Sequence, residues 1–164
     1  MRVDARLTGT GNSGIMHVSS DGRRNEKPLT SEQVKECRQI AIEYGMPTDK
    51  IIFSENMFTG YFPFGDSLYI GTDVYPCGNN KKANYMISCK GVLAHELIGH
   101  RNAYLKNGSQ GIERYEEAQA SIRAAKLAKG LSDDERKILL QDAAERLHDD
   151  ETIESIRSLL FLRE

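Results

Sequence analysis

The hydrophobic pattern of the sequence changes near residue 50 and again near residue 76, and this division most limits the folds open to the chain. Residues 50–75 contain three short β-branched and aromatic runs, at 51–53, 59–62 and 68–74. Such runs are typical of strands, so we predict a small antiparallel or mixed sheet. Residues 88–162 instead carry apolar side chains at helical spacing. The chain is therefore predicted to be α+β, with a small sheet followed by a helical C-terminal half.

Capping signals define the limits of several helices. Thr30 and Gln33 fit a capping box, and Gly45 provides a stop, so a helix is predicted over 30–45. A second capping box starts at Ser132. The other helices of the C-terminal half are predicted over the following ranges: 88–105, 112–128, 132–147 and 151–162. Residues 1–29 are rich in glycine and polar residues, so they are predicted to form a loosely structured arm of a single domain spanning 1–164.

Length and charge exclude several classes of protein. The chain has 164 residues, 22 basic and 24 acidic side chains and a net charge of −2. This balance argues against a dedicated nucleic-acid binder, and no apolar run approaches the roughly 20 residues of a membrane span. No charged start leads into an apolar core, so no signal peptide is predicted.

The three cysteines form no C-x-x-C pair. Cys37, Cys77 and Cys89 are interpreted as small, half-buried thiols, with a Cys77–Cys89 bridge left open. Two of the four histidines, His17 and His148, are interpreted as a surface group and a helix-end group.

The chemistry of the chain is concentrated in one helical segment, His95-Glu96-Leu97-Ile98-Gly99-His100. On a regular α-helix His95 and His100 would lie roughly 140° apart and could not meet on one metal ion. Three interpretations are open. A π-bulge eased by Gly99 would bring both histidines to one face. Alternatively the helix ends or bends at Gly99, or Glu96 and His100 at i and i+4 form a ligand or acid–base pair of their own.

This segment resembles the zincin metallopeptidase signature H-E-x-x-H, with one additional residue between the glutamate and the second histidine. Downstream, Glu117-x-x-Ala120-Ser121 resembles the segment that supplies the third ligand in glutamate-ligand zincins, with serine in place of an acid or amide. The resemblance implies a zincin-like fold in which His95, His100 and Glu117 hold Zn²⁺. It also implies that the small Ala120 allows close helix packing and that Ser121 hydrogen-bonds a zinc-binding histidine.

The same resemblance implies a zinc-dependent peptide hydrolase. Glu96 would act as the general base on a metal-bound water. Arg101 is expected to contact the metal-binding residues without binding the ion itself. Tyr115, Arg101 or a residue of the loop 76–85 would stabilise the oxyanion. A strand within 58–74 would hold the peptide or protein substrate by strand addition.

The spacing and the sequence Gly99-His100-Arg101 also resemble zincin-like domains of bacterial polymorphic toxins. That resemblance implies delivery by a secretion system as part of a larger protein, with an immunity or inhibitor protein as a partner. Since no signal peptide is predicted, a cytoplasmic location is the alternative. Two alternatives stay open: a non-catalytic zincin-like binding domain, and a nuclease-type toxin using Glu96 and His100. The nearly neutral charge favours a peptide substrate over a nucleic acid.

Overall fold

The computed structural model describes residues 24–76, 80–108 and 113–147. Most of the predicted N-terminal arm lies outside these residues, as does the whole predicted helix 151–162. Cys77, His17 and His148 also lie outside them. The expectations for these parts of the chain stay predictions.

The first helix, α1, spans Ser31–Glu43 and begins at the predicted capping box. Thr30 Oγ1 accepts a hydrogen bond from the Gln33 amide at 3.2 Å, and Gln33 Oε1 accepts one from the Thr30 amide at 2.9 Å. The helix ends before Gly45, whose φ of 87° lies in the left-handed region. The predicted start and end of this helix are therefore confirmed.

Within the described residues, three short strands form one mixed sheet in the order β1-β3-β2. Strand β1 is parallel to β3 and β2 is antiparallel to it. The strands are β1, Ile51–Phe53, β2, Gly60–Phe62, and β3, Ser67–Ile70. A turn joins the last two strands, with φ values of 92° at Gly65 and 48° at Asp66. The expected mixed sheet is thus confirmed, and β2 is one of its two edge strands in the described residues.

The third predicted strand was too long, since the chain forms a 3₁₀ turn over Thr72–Val74. The reason is a contact with a distant part of the chain. The backbone at Met57 crosses so close to Gly71 that any side chain there would collide with the Met57 carbonyl. Asp73 Oδ1 then accepts hydrogen bonds from the Thr59 amide at 2.9 Å and from the Thr59 hydroxyl at 2.8 Å. These contacts end β3 and hold the segment before β2 against the residues that follow β3.

The C-terminal half is helical, as predicted. Helix α3 begins at the Ser88 cap and runs without a break through a π-helix into α4, and we call residues 89–107 the central helix. Gly130 has a φ of 73° in the turn before Ser132, whose predicted capping box with Glu135 starts α6. The helices are α2, Ala83–Met86, α3, Cys89–Ala94, the π-helix, His95–Arg101, α4, Asn102–Asn107, α5, Glu113–Leu127, and α6, Asp133–Arg146.

The core joins the sheet to the central helix, with α1 on one side and α5 and α6 packed alongside. Leu68 and Ile70 of the sheet meet Leu93 and Leu97 of the central helix, and all four side chains are buried. The central helix is therefore held on several sides, which fixes the orientation of the polar groups that it carries. None of the helices in the described ranges combines the length and the apolar character that crossing a membrane requires.

Candidate metal centre

The segment that carries the two histidines is a π-helix, His95–Arg101. In a π-helix each backbone amide bonds to the carbonyl five residues earlier, one more than in an α-helix. The hydrogen bond from the Asn102 amide to the Leu97 carbonyl has this spacing. The imidazole rings of His95 and His100 consequently lie on one face of the helix, edge to face, with their centroids 4.7 Å apart. The π-bulge interpretation is confirmed. The helix does not end at Gly99, because helical backbone continues through Asn102.

Gly99 is required for packing between helices. A Cβ atom added to Gly99 would lie 2.5 Å from the Ala120 carbonyl oxygen and 2.7 Å from the Ala120 Cα. These are backbone atoms of α5, so they cannot rotate away. Arg123, also on α5, donates to the Gly99 carbonyl oxygen at 3.3 Å. The glycine therefore lets the π-helix contact the backbone of α5 directly, at the small residue Ala120.

This contact brings Glu117 of α5 to the two histidines. The Nε2 atoms of His95 and His100 are 3.0 Å apart. Glu117 Oε2 lies 3.2 Å from His95 Nε2, and Glu117 Oε1 lies 3.2 Å from His100 Nε2. Zinc ligands arranged tetrahedrally at 2.0–2.1 Å from the ion would be about 3.3 Å apart. Two imidazoles and one carboxylate with these separations could hold a metal ion.

The electrostatics of the group favour a charged pair in the absence of metal. Burial alone would raise the pKa of Glu117, but His100 and His95 beside it hold that pKa well below the usual value. Burial alone would lower the pKa of His100, and Glu117 raises it to about 9. Without metal the proton on His100 thus balances the Glu117 carboxylate. A metal ion bound there would replace that proton, because an imidazole must be neutral to act as a ligand.

A hydrogen-bonded relay fixes the ring of His95 from behind. His95 Nδ1 lies 2.9 Å from Ser121 Oγ, and the Ser121 hydroxyl donates to Asp142 Oδ2 at 2.5 Å. Since the serine proton points to Asp142, the serine oxygen accepts from His95 Nδ1–H. This assignment leaves the lone pair of Nε2 facing the ligand group. Ser121 is therefore where the sequence predicted it, bonded to a candidate metal ligand.

Two members of the surrounding network were missed by the sequence analysis. Asp142 and Arg146 lie on α6, and Arg146 Nε donates to Asp142 Oδ2 at 2.7 Å. Nη1 of the same guanidinium donates to Glu117 Oε2 at 2.9 Å. The available signal was an Asp-x-x-x-Arg pair at i and i+4 beside the buried Leu139 and Ala143.

Glu96, the predicted general base, connects the π-helix to the sheet. Its Oε2 accepts a hydrogen bond from the Tyr61 amide at 2.8 Å. Tyr61 lies in the middle of β2, so Glu96 binds the outer edge of the sheet next to the ligand group. Its role as a base stays a prediction.

The structure directs Arg101 away from the metal ligands. Its guanidinium donates to both carboxylate oxygens of Asp66, at 2.7 and 2.8 Å, and to the Gly45 carbonyl at 3.2 Å. These bonds join the π-helix to the β2–β3 turn and to the end of α1. In the described structure Arg101 thus positions the helix, and its predicted roles beside the metal ligands and at the oxyanion stay predictions. Tyr115 packs against a small cluster between α5 and α6, and its assignment as oxyanion donor stays a prediction. The cluster consists of Ala118, Ile122, Ala143 and Leu147.

Comparison of the chain with protein-family models, curated proteins and solved structures finds no match. The likeness to zincins therefore depends on the motif residues alone.

Proposed function

We propose that the protein is a zinc-dependent peptide hydrolase. The observation that carries the proposal is the ligand triangle of His95, His100 and Glu117, with separations of 3.0–3.2 Å between the ligand atoms. The π-helix removes the one-residue mismatch with the zincin spacing. Three protein ligands with one remaining position are typical of catalytic rather than structural zinc.

The chain's own residues divide the chemical work. His95, His100 and Glu117 would hold the ion, which when bound supplies Lewis acidity and lowers the pKa of water. Glu96 follows His95 directly, and its carboxylate would take a proton from the attacking water and return it to the leaving amine. The hydrogen bond from the Tyr61 amide orients that carboxylate. Removing the charge of Glu96 should therefore abolish turnover without removing the metal.

The sheet edge supports a peptide as the substrate. Strand β2 is an edge strand beside β3, and the Tyr61 amide points away from β3 towards Glu96. An extended peptide laid along this edge would bring a backbone carbonyl close to the ligand group. The net charge of −2 gives no general attraction for a polyanion.

Metal content and cleavage of an unstructured peptide mixture test the proposal. Purified protein should contain about one zinc ion per chain by elemental analysis. His95→Ala, His100→Ala and Glu117→Gln should lose the ion, while Glu96→Gln should keep it and lose peptide cleavage. Glu116→Gln, which neutralises the neighbouring carboxylate outside the ligand triangle, is the matched control and should retain both.

The outcomes separate the alternatives. Bound zinc without cleavage in the wild type would favour a non-catalytic binding domain. Cleavage of nucleic acid but not peptide, lost in Glu96→Gln, would favour the nuclease. Wild-type protein that takes up no metal would contradict the metal site itself. Delivery as part of a bacterial toxin and an immunity partner remain predictions from the resemblance.

A further inference from the structure

We propose that Asp142 and Arg146 of α6 are positioning residues that orient two ligands of the metal site together. Asp142 acts on His95 through Ser121, and Arg146 acts directly on Glu117. The inference rests on the proposed metal site and adds to it two residues from a helix that supplies no ligand.

The first branch controls the ring of His95. The Asp142 carboxylate is 2% exposed, and a buried charge of this kind is costly unless it is paired. It accepts from Ser121 at 2.5 Å and from Arg146 at 2.7 Å. Its charge thus polarises the Ser121 hydroxyl, which in turn holds the Nδ1–H of His95. A carboxylate relayed to a histidine ligand fixes both the ring orientation and the basicity of Nε2.

The second branch controls the carboxylate of Glu117. Arg146 Nη1 binds Oε2 at 2.9 Å, whereas Oε1 is the oxygen closest to His100 Nε2. The arginine therefore fixes the rotation of the carboxylate and leaves Oε1 directed at the second histidine. Because Arg146 also binds Asp142, the two branches share one ion pair. Both branches end on candidate ligands, which is the arrangement expected of residues that position those ligands.

The test measures zinc affinity by competition with a chromophoric chelator. Asp142→Asn keeps the shape of the side chain and removes its charge, and it should weaken zinc binding by about 10–100-fold. Ser121→Ala should weaken binding in the same direction. Asp134→Asn is the matched control on the same helix, since Asp134 is an exposed residue that pairs with Lys137, and it should leave the affinity unchanged. The visible spectrum of the cobalt-substituted protein should shift in Asp142→Asn and not in Asp134→Asn.

A double variant separates positioning from general stability. If Asp142 acts through Ser121, the combined loss of affinity in Ser121→Ala/Asp142→Asn should be smaller than the product of the single losses. Losses that multiply, or single variants with wild-type affinity and cobalt spectrum, would overturn the inference while leaving the metal site intact. Wild-type protein that binds no zinc would overturn the proposed function as well. If Asp142→Asn does not fold without metal, Ser121→Ala alone carries the comparison.

A second inference concerns an independent site. We infer that Cys37 and Cys89 form a reversible disulfide that links α1 to the start of the central helix. Their Sγ atoms are 3.4 Å apart, and both thiols are free and buried. The sequence left open a different bridge, between Cys77 and Cys89. Within the described residues, Cys37 is the cysteine in contact with Cys89.

The cavity beside Cys89 gives a small oxidant a route to this buried pair. Cys89 borders a cavity of about 530 Å³ together with Tyr75 and Ser88, so a small oxidant could reach it. The hydrogen bond from Cys89 lowers the pKa of Cys37, which favours the thiolate that oxidants attack. A disulfide needs the sulfur atoms to approach to about 2.05 Å.

A peroxide would supply the oxidising equivalents. The Cys37 thiolate attacks one peroxide oxygen, the O–O bond breaks, and a sulfenic acid and one water form after protonation. The Cys89 sulfur then attacks the sulfenic sulfur, forming the S–S bond and releasing a second water. Two thiols thus lose two electrons and two protons, and one hydrogen peroxide becomes two waters.

Intact mass and peptide mapping after mild peroxide treatment test this second inference. We expect the loss of two hydrogen masses, a crosslinked peptide containing Cys37 and Cys89, and a Tm raised by about 5 °C or more. Cys77→Ser is the matched control and should behave like the wild type, whereas Cys37→Ala and Cys89→Ala should lose the crosslink. A bridge to Cys77, or oxidation without a crosslink, would overturn the assignment, and neither result depends on metal binding.

Discussion

Gly99→Ala is the substitution that most directly tests how the metal site is built. In the π-helix the new methyl group would lie 2.5 Å from the Ala120 carbonyl oxygen and 2.7 Å from its Cα. Ordinary carbon–carbon contact needs about 3.5 Å or more, so α5 must move away by about 1 Å. Glu117 lies one helical turn from Ala120 on the same helix. The displacement should therefore carry its carboxylate away from both histidines.

Gly99→Ala has two opposing effects on the free energy of unfolding, and they differ in size. Alanine in a helix is favoured over glycine by about 1 kcal/mol. Overpacking against backbone costs about 1–3 kcal/mol, and the loss of the Arg123 bond to the Gly99 carbonyl adds to it. We therefore expect Gly99→Ala to lower the free energy of unfolding of the metal-free protein by about 1–2 kcal/mol. A metal site tolerates displacements of only about 0.2 Å, so zinc affinity should fall about tenfold or more.

Urea unfolding with and without zinc, together with chelator competition, measures both effects. Gly91→Ala is the matched control on the same helix, because its methyl would meet the side-chain Cγ2 of Ile87, not backbone. It should cost less stability and leave zinc affinity unchanged. Wild-type stability and zinc affinity in Gly99→Ala would refute the role assigned to the contact between the π-helix and α5.

Three further substitutions test the scaffold by chemical denaturation. Thr30→Ala removes the capping box of α1 and should cost about 1 kcal/mol, which Thr30→Ser should largely restore. Arg24 donates to four carbonyl groups, two in the 3₁₀ turn Thr72–Val74 and two in α2 and the residue after it. Arg24→Met should therefore cost about 2 kcal/mol or more, and Arg24→Lys should recover only part of that loss. Arg101 lowers the pKa of Asp66 through hydrogen bonds. Asp66→Asn should therefore cost about 1 kcal/mol near pH 7. The difference from wild type should shrink as the pH falls below the pKa of the unfolded carboxyl, about 4, and disappear once the pH is below the lowered pKa of Asp66 in the folded protein.

The sequence determined the helix starts because capping is local chemistry. Thr30 with Gln33, and Ser132 with Glu135, lie within one turn of each other, so neither depends on the rest of the fold. The end of β3 was not predictable in this way. Val74 belongs to a β-branched run, but the crossing of Met57 over Gly71 stops the strand.

The metal site shows the same division between local and tertiary information. The spacing of His95 and His100 limited the helix to a few geometries, and the π-helix was one of them. The π-helix is selected among these geometries by the contact of Gly99 with Ala120 of α5, 21 residues further along the chain. The roles of Asp142 and Arg146 depend on which face of α6 packs against α5, and helical periodicity alone does not specify the partner of that face.

The site is therefore a property of how three helices pack. The π-helix contributes two candidate ligands, α5 contributes the third, and α6 contributes the ion pair that we propose orients one ligand on each of the others. None of these helices contains a complete candidate site, so tight binding of a metal ion would require all three to be packed together. If the proposed site binds metal, binding and the docking of α5 and α6 are thermodynamically linked, and each should strengthen the other. The ion pair between His100 of the π-helix and Glu117 of α5 joins the same two helices directly, at 3.2 Å.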